Sequence, residues 1–409
     1  MSNEKLELKN KLYREVELKN ALAVEGIRFD PSIFKEDLRN NKNLSQSHNC
    51  MDFSLDNTEK YEVPLGFRLE NGFGVFLNKS SKSPYYIEKE EDDFYILKEG
   101  VRLSKLSFLK PPEFFSQKTS DGVLMKTIAM ASGDFRYGDR QMVIAYSNEC
   151  ALKDKGLDCL FCNINATKDR FGEKEGIKWK YPKQIAETVK AAYDEGLDHV
   201  TITGGFIPER REVDYYLDTA ESIQEALGRR DFNGTACIGA PADLSVIEKY
   251  KEVGFSTIAF NMEVWNKKFF DAICPGKGDA ACGGGHEHWV EAIKYAIEVF
   301  GFGNVRSNFV AGLEPKEYLL EGIDYLSSLG VVATASSWVP NIGSKFEGHR
   351  TPTPEWHWDV VKRVTNILRK NGITYEQLYK ATPTTFIIHD LYRIEDELLP
   401  DFEKHIVLN

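Results

Sequence analysis

Two rhythms of apolar and polar positions divide the chain. Between residues 140 and 340 short apolar runs alternate with longer amphipathic stretches. MVIAYS (142–147) is a compact apolar run of the kind a strand buried on both faces requires. From 183 to 195, Ile185, Val189 and Tyr193 recur every four residues and Gly196 follows, which predicts a helix with a glycine stop. HVTITGG predicts a second strand, residues 213–227 a helix ending at Gly228, and GTACIGA (234–240) a third strand. The unit recurs in LSVIEKYKEVG with FSTIAFNME (255–263), and in HWVEAIKYAIEVFG with VRSNFVAGL (305–313). YLLEGIDYLSSLG with VVATASSWVP (331–340) completes the series. Six strands with at least five helices between them predict a parallel sheet with right-handed crossovers.

The first part of the chain has a different texture. A charged, helical leader precedes EKYEVPLGFRL, GFGVFL, YYIEKE and DFYILK, short runs rich in β-branched and aromatic residues and separated by Asn-Gly or Lys/Ser clusters. After 350, TPTPEWHWDVVKRVTNILRKNG predicts one more amphipathic helix, and the tail to 409 reads as helix plus turns packed across the sheet. The expected division is an N-terminal α+β accessory domain over 1–125, an α/β unit over 126–345 and a C-terminal helical extension over 346–409. An open doubly wound sheet and a partial (β/α)6 TIM-type barrel both satisfy the middle region. No Gly-x-Gly-x-x-Gly follows the first strand, so a dinucleotide-binding sheet lacks its fingerprint. Polar and special residues gather at the C-terminal strand ends, the functional face of a barrel, and six repeats favour the partial barrel.

Composition narrows the partners. Lys and Arg number 52 against 63 Asp and Glu, a net charge of −11 without a basic block, which argues against nucleic acid or an anionic membrane. No apolar run approaches the ~20 residues that span a bilayer. The N-terminus is charged and lacks the apolar stretch of a secretory signal, so a cytoplasmic location is expected.

Of the seven cysteines, Cys150, Cys159 and Cys162 fall within thirteen residues, in CALKDKGLDCLFC after the first predicted strand. Three thiolates there could hold zinc or an iron–sulfur cluster. Structural zinc closes its shell with a fourth Cys or His; the nearest His is His199, a helix away. A [4Fe-4S] cluster on three cysteines keeps one iron open to another ligand.

At this point the chain resembles the radical S-adenosylmethionine superfamily, over about 140–340. Cys159-Leu160-Phe161-Cys162 matches the second half of that family's Cys-x3-Cys-x2-Cys loop, with Phe161 as the aromatic. The first spacing departs, with eight residues between Cys150 and Cys159. Thr203-Gly204-Gly205 stands where the family places a Gly-Gly-Glu-like motif for the methionyl amino group, with Phe206 in the Glu position. The resemblance implies that the carbonyls of Thr203 and Gly204 accept the ammonium. Asn261 and Glu263 resemble the positions that contact ribose and carboxylate; alternatively Glu263 pairs with Arg306 across the barrel. Val310 and Gly312 occupy the apolar and glycine slots of the fifth-strand element, with Glu314 one residue early. Trp338 is placed to pack against adenine or to fill core. The stretch NMEVW…ICPGKG…GLEP is similar to the biotin synthase-like and hydrogenase-cofactor-maturation branch.

The resemblance implies a [4Fe-4S] cluster and S-adenosyl-L-methionine as cofactors, and reductive cleavage of a sulfonium C–S bond. The usual product is a 5′-deoxyadenosyl radical that abstracts hydrogen from a small-molecule substrate, with electrons from a flavodoxin- or ferredoxin-type donor. Transfer of the 3-amino-3-carboxypropyl group is the alternative within the family; a zinc-dependent barrel enzyme or an iron–sulfur electron carrier stands outside it. Arg306, which could clamp the substrate or the methionyl carboxylate, and Cys282 are the candidate catalytic residues. Cys282 belongs to CPGKGDAACGGGHEH (274–288), read as a substrate-contacting loop, a second metal site with Cys274, His286 and His288, or a plain connection. Cys237 is expected to be a small buried hydrophobe.

Overall fold

Helix α1 (Asn3–Glu25) opens the chain, with Leu8, Leu12 and Val16 at intervals of four along its buried face. Strands β1 (Gly66–Leu69), β2 (Gly74–Phe76), β3 (Tyr85–Glu90), β4 (Asp93–Lys98) and β5 (Val101–Phe108) form an antiparallel sheet in the order β2-β1-β5-β4-β3. The first four answer to the apolar runs noted above. β5 was not anticipated: only Ser104 and Leu106 are buried along it, so its alternation is mostly charge and small polar groups against solvent. The computed structural model describes residues 3–34, 64, 66–109, 111–131, 140–147, 149–164, 179–341, 343–382 and 386–398. Residues 59–63 of the first predicted strand, Cys50 and the tail 399–409 lie outside them.

The second sheet is the larger. In chain order it comprises β6 (Met130–Ala131), β7 (Gln141–Ala145), α2 (Ala151–Asp154), α3 (Pro182–Glu195), β8 (His199–Thr203), α4 (Glu209–Leu227), β9 (Gly234–Cys237) and α5 (Val246–Glu252). It continues with β10 (Thr257–Ala259), α6 (Lys267–Ile273), α7 (Pro275–Gly278), α8 (Gly285–Phe300), β11 (Val305–Ala311), α9 (Lys316–Ser328) and β12 (Val331–Ser337). Strands β7 to β12 lie side by side in sequence order, all parallel, which is the expected partial (β/α)6 barrel. A seventh strand was missed. β6 adds to β7 in antiparallel sense through two residues, too few to leave a pattern.

The register separates two chemistries. Ile144, Ile202, Ala236, Ile258 and Val305 pair in sequence from strand to strand and pack beneath the helices. The alternate positions face the lumen: Gln141, His199, Thr201, Thr203, Thr235, Cys237, Ala259, Arg306, Asn308, Thr334 and Ser336. A lumen this polar is not filled as a core and is suited to a ligand. Gly196 and Gly228 end α3 and α4 in the left-handed conformation, as the sequence implied.

Helices α10 (Pro354–Lys370), α11 (Tyr375–Ala381) and α12 (Ile387–Glu395) follow the barrel. α11 lies by the N-terminal strand ends, where Gln141 donates to the Tyr379 carbonyl and the Tyr379 hydroxyl donates to Asp198. α1 packs on α10 and α12 through Leu8, Leu12 and Val16 against Trp358, Leu391 and Ile394. Buried Lys19 donates to Asp390 at 2.6 Å. No helix among the described residues is long and apolar enough to cross a membrane.

His199 sits fully buried, with Nε2 2.8 Å from the Thr235 hydroxyl and that hydroxyl against Thr257. Burial pushes its pKa down to about 4. The unfolded chain therefore binds a proton below the ordinary value of 6.5 that the fold refuses until about 4. Stability is expected to fall as pH drops through that window. Chemical denaturation of a His199→Gln chain, followed from pH 7 to 4, is expected to show a shallower loss.

Candidate active site

Cys150 precedes α2, and Cys159 and Cys162 occupy the next turn, where Cys162 N–H donates to the Cys159 carbonyl at 3.0 Å. This loop is held on three sides. Ala151 N–H donates to Phe206 O at 2.8 Å, Leu160 N–H to Ile273 O at 2.9 Å, and Phe346 N–H to Leu160 O at 3.0 Å. Gly276 N–H donates to Leu157 O at 3.0 Å, and a Cβ on Gly276 would stand 2.6 Å from that oxygen. All three thiols are half-buried, and Cys162 lies within electrostatic reach of the other two. Burial raises the Cys162 thiol to about 12, helped by those neighbours. Cys159 moves the other way. The thiol of Cys274 is hydrogen-bonded to it and favours its thiolate, with Lys277 adding in the same direction, while Cys274 is itself held high by burial.

The donor set suits a cluster. Each cysteine of a [4Fe-4S] site binds a separate iron, so the sulfurs need not converge on one point. Among the described residues no three Cys, His, Asp or Glu side chains form a group able to hold a single ion.

The strand ends above the lumen carry the remaining candidates. Gly204 and Gly205 are required by close packing: a Cβ at Gly204 would stand 2.4 Å from the Tyr146 ring, and one at Gly205 1.9 Å from Glu149 O. The Thr203 carbonyl already accepts Tyr146 N–H at 2.9 Å, and the Gly205 carbonyl accepts the Tyr146 hydroxyl at 3.2 Å. Of the two carbonyls expected to receive an ammonium, only that of Gly204 lacks such a bond among the described residues. Gly205→Ala is expected to cost at least about 1–3 kcal/mol, because the clash is with backbone and cannot rotate away. Its denaturation midpoint should fall, together with the iron retained after reconstitution.

Asn261 links neighbouring strands: its Oδ1 accepts Asn308 N–H at 3.2 Å and its Nδ2 lies 3.6 Å from Cys237 Sγ. Cys237 therefore faces the lumen among Asn261, Thr203 and Arg306, and is not the apolar filler anticipated. Glu263 has φ 65°, an uncommon conformation for a residue with a side chain. Its carboxylate pairs with Lys277 at 3.0 Å rather than with Arg306, both side chains being about 14% exposed or less. Lys277 also donates to Asn261 O at 2.7 Å and lies 4.3 Å from the centre of the Trp289 ring. Burial opposes its charge, but Glu263 and the thiols of Cys159 and Cys274 outweigh that and hold it above the usual lysine range.

Arg306 is 7% exposed, its Nε has no hydrogen-bond partner, and its guanidinium lies 5.8 Å from the Phe386 ring. Phe161 packs against the barrel core, Val310 is buried at its β11 position, and Gly312 has φ 110° beside Pro352. Glu314 accepts Trp265 N–H and Asn266 N–H at 2.7 and 2.9 Å, which makes it a brace for the turn into α6; burial raises its pKa to about 7. Trp338 is buried with its ring edge toward Phe346. Segment 274–288 disperses instead of converging. Cys274 meets Cys159, Cys282 lies 3.9 Å from Lys155 in a turn, His286 bonds the Trp265 carbonyl and His288 that of Pro241. The structure gathers no second metal site there, and Cys282 is not among the lumen residues. Lys277 was missed as a site residue, and Cys274 was weighed only for a second metal; the signal was Pro-Gly-Lys-Gly closing on a strand-end Glu.

Residues 146–331, from the end of β7 to the start of β12 with all three cysteines, match the radical SAM superfamily. That match spans fewer than half of the 409 residues, so the likeness is to this stretch of the chain. The superfamily's cofactors are a [4Fe-4S] cluster and S-adenosylmethionine, as the sequence led us to expect. Its members are enzymes that act on small molecules with electrons from outside. Over 243 residues this chain is 29% identical to bacteriochlorophyllide c C-7(1)-hydroxylase of Chlorobaculum limnaeum, a match covering 56% of this chain and 59% of that one. The match thus spans less than two thirds of the curated relative. Among solved structures, methylornithine synthase is similar with 15% identity and a TM-score of 0.46, over 68% of this chain and 78% of that one. The [FeFe]-hydrogenase maturase of Carboxydothermus hydrogenoformans is similar with 17% identity and a TM-score of 0.45, over 58% and 56%.

Proposed function

We propose that this chain binds its cluster through Cys150, Cys159 and Cys162, cleaves S-adenosylmethionine reductively and transforms a small molecule by hydrogen abstraction. The observation that carries the reading is the cysteine loop, pinned by Phe206, Ile273, Leu157 and Phe346 beside a polar lumen. The cluster and S-adenosylmethionine supply a 5′-deoxyadenosyl radical, and the protein supplies placement. Gly204 offers its carbonyl to the methionyl ammonium, and Asn261 and Glu263 stand where ribose and carboxylate contacts are expected. Lys277 fixes the Glu263 carboxylate through a 3.0 Å ion pair. Val310, Gly312 and Trp338 border the adenine side. Arg306 faces the same lumen in register with Ala259 and Cys237, as a clamp for the substrate or for the methionyl carboxylate. The relative's name, a C-7(1)-hydroxylase, supports replacement of a C–H bond as the reaction type. A flavodoxin- or ferredoxin-type protein supplies the electron.

Anaerobic reconstitution with iron and sulfide, then reduction with S-adenosylmethionine, tests this. Mass spectrometry is expected to find 5′-deoxyadenosine. Methylthioadenosine instead would mean carboxypropyl transfer; stoichiometric zinc and no cluster would overturn the reading.

A further inference from the structure

β12 is the last strand of the barrel sheet, with only β11 beside it, so its outer edge is left to other parts of the chain. A cavity of about 380 Å³ lies along that edge, walled by Ala23 of α1, Phe76 of β2, Ala335 of β12, Val361 of α10 and Ile387 of α12. Its volume is at the small end for ligand pockets. Among the described residues, Ala311 is the one lining residue within 146–331, the stretch matched to the superfamily. The remaining walls come from the N-terminal unit and from the chain beyond the start of β12.

Register turns the cavity away from the lumen. Thr334 and Ser336 reach Asn308 Oδ1 in the lumen at 3.3 and 3.0 Å, so the alternate positions Ala335 and Ser337 face outward, as does Ala311, which pairs with Ser337. Asn261 and Val310, assigned above to the cofactor, are on the lumen side. Ser336 and Phe386 mark where the two spaces meet: both line the cavity, and the Phe386 ring lies 5.8 Å from the Arg306 guanidinium.

The wall is apolar and presents no unanswered charge. Its ionisable side chains are Lys19, bound to Asp390 at 2.6 Å, and His357, whose pKa burial lowers to about 4. Two acceptors are left over. The Thr351 hydroxyl donates to the Trp338 carbonyl, so toward His357 Nε2, 3.0 Å away, its oxygen accepts. The ring hydrogen is therefore on Nε2, and Nδ1 keeps a lone pair, buried and without a partner among the described residues. Asn78 Oδ1, just beyond β2, is in the same state. A buried acceptor is costly until a donor reaches it.

We propose that this cavity is a binding site, separate from the cofactor's contacts, for a small uncharged molecule that is apolar over most of its surface and donates a hydrogen bond to His357 Nδ1, with Asn78 Oδ1 as a second acceptor. The site goes beyond the radical reading and stands without it. It makes the N-terminal unit a binding element, since α1 and β2 supply one side of the cavity.

Indole, apolar with a single N–H, and 1-methylindole, which lacks it, are the probes. Each is titrated calorimetrically into the full chain, reconstituted anaerobically and free of S-adenosylmethionine. The wild type is expected to bind indole. Its ratio of indole to 1-methylindole affinity is expected to exceed that of His357→Phe by about 2- to 10-fold, the worth of one neutral hydrogen bond. Ala23→Phe fills the cavity from α1; it is expected to bind indole about 10-fold more weakly or worse, and S-adenosylmethionine as the wild type does. Should that chain not fold, Gly74→Leu takes its place, because a Cβ there meets only Arg68 Nη1, at 3.6 Å. No binding of indole by the wild type, equal ratios in the wild type and His357→Phe, or undiminished indole binding by the filled cavity would overturn the proposal. Displacement of indole by S-adenosylmethionine would also overturn it, by making the cavity part of the cofactor's site. Formation of 5′-deoxyadenosine is measured separately; its failure removes the radical reading and leaves the indole result standing.

Discussion

A Cys159→Ala chain reconstituted with iron and sulfide is expected to emerge nearly colourless and to leave reduced S-adenosylmethionine intact. The loop itself offers no fourth cysteine and His199, the nearest His in sequence, is buried against Thr235; the one thiol at hand is that of Cys274, hydrogen-bonded to Cys159, so the same loss is expected of Cys159→Ala/Cys274→Ala, made beside it. Of the three proposed ligands, Cys159 is the one that the protein prepares most directly. Its thiolate is favoured by the Cys274 thiol and by Lys277, whereas Cys162 is held protonated by burial until iron displaces the proton. The expected loss of S-adenosylmethionine cleavage is of the order of 10⁶-fold or more, the scale on which enzymes exceed background. The check is iron content, visible absorbance and 5′-deoxyadenosine yield on one preparation. Cys282→Ala serves as the comparison, because that thiol meets only Lys155 in an exposed contact and its loss should leave the bound iron unchanged.

Replacing Lys277 by Met is expected to destabilise the ligand-free protein by about 3–5 kcal/mol, the cost of leaving one member of a buried pair behind. Glu263 would stay enclosed with its carboxylate uncompensated, in a left-handed backbone conformation that the Lys277 contact helps to hold. Asn261 would lose the ammonium on its carbonyl as well. Denaturant unfolding of Lys277→Met, Glu263→Gln and the double variant separates these effects. The double variant is expected to recover most of the loss, because no charge remains buried. Equal stability of Lys277→Met and the wild type would mean that the pair is replaced by water.

Much of the barrel was legible because its strands are short, apolar on one face and closed by glycine-stopped helices. Ile185, Val189 and Gly196 announce α3, and the structure repeats that reading almost residue for residue. The cysteine loop was legible for a chemical reason, since three thiols within thirteen residues have few other uses. What escaped was contact between segments far apart in sequence. Glu263 was offered Arg306 as a partner across the barrel, but Lys277 reaches it from α7. Glycines 204 and 205 were read as room for a ligand, and they are room for Tyr146 and the Glu149 backbone. Cys237 read as apolar because β9 is short, and only the register with Ala259 turns it inward.

The clasp between α1 and the last helices sets an order of events during synthesis. Lys19 meets Asp390 across 371 residues, and Tyr13 meets Glu395 across 382. At ~5–20 residues per second a ribosome needs roughly 20–75 s to travel that distance. Late in that interval, once β12 has been made, the strands from β7 onward are all free to pair while the leading helix still lacks the face against which it packs. A nascent chain therefore passes through a stage in which all the barrel strands have been made and the helices that clasp α1 have not.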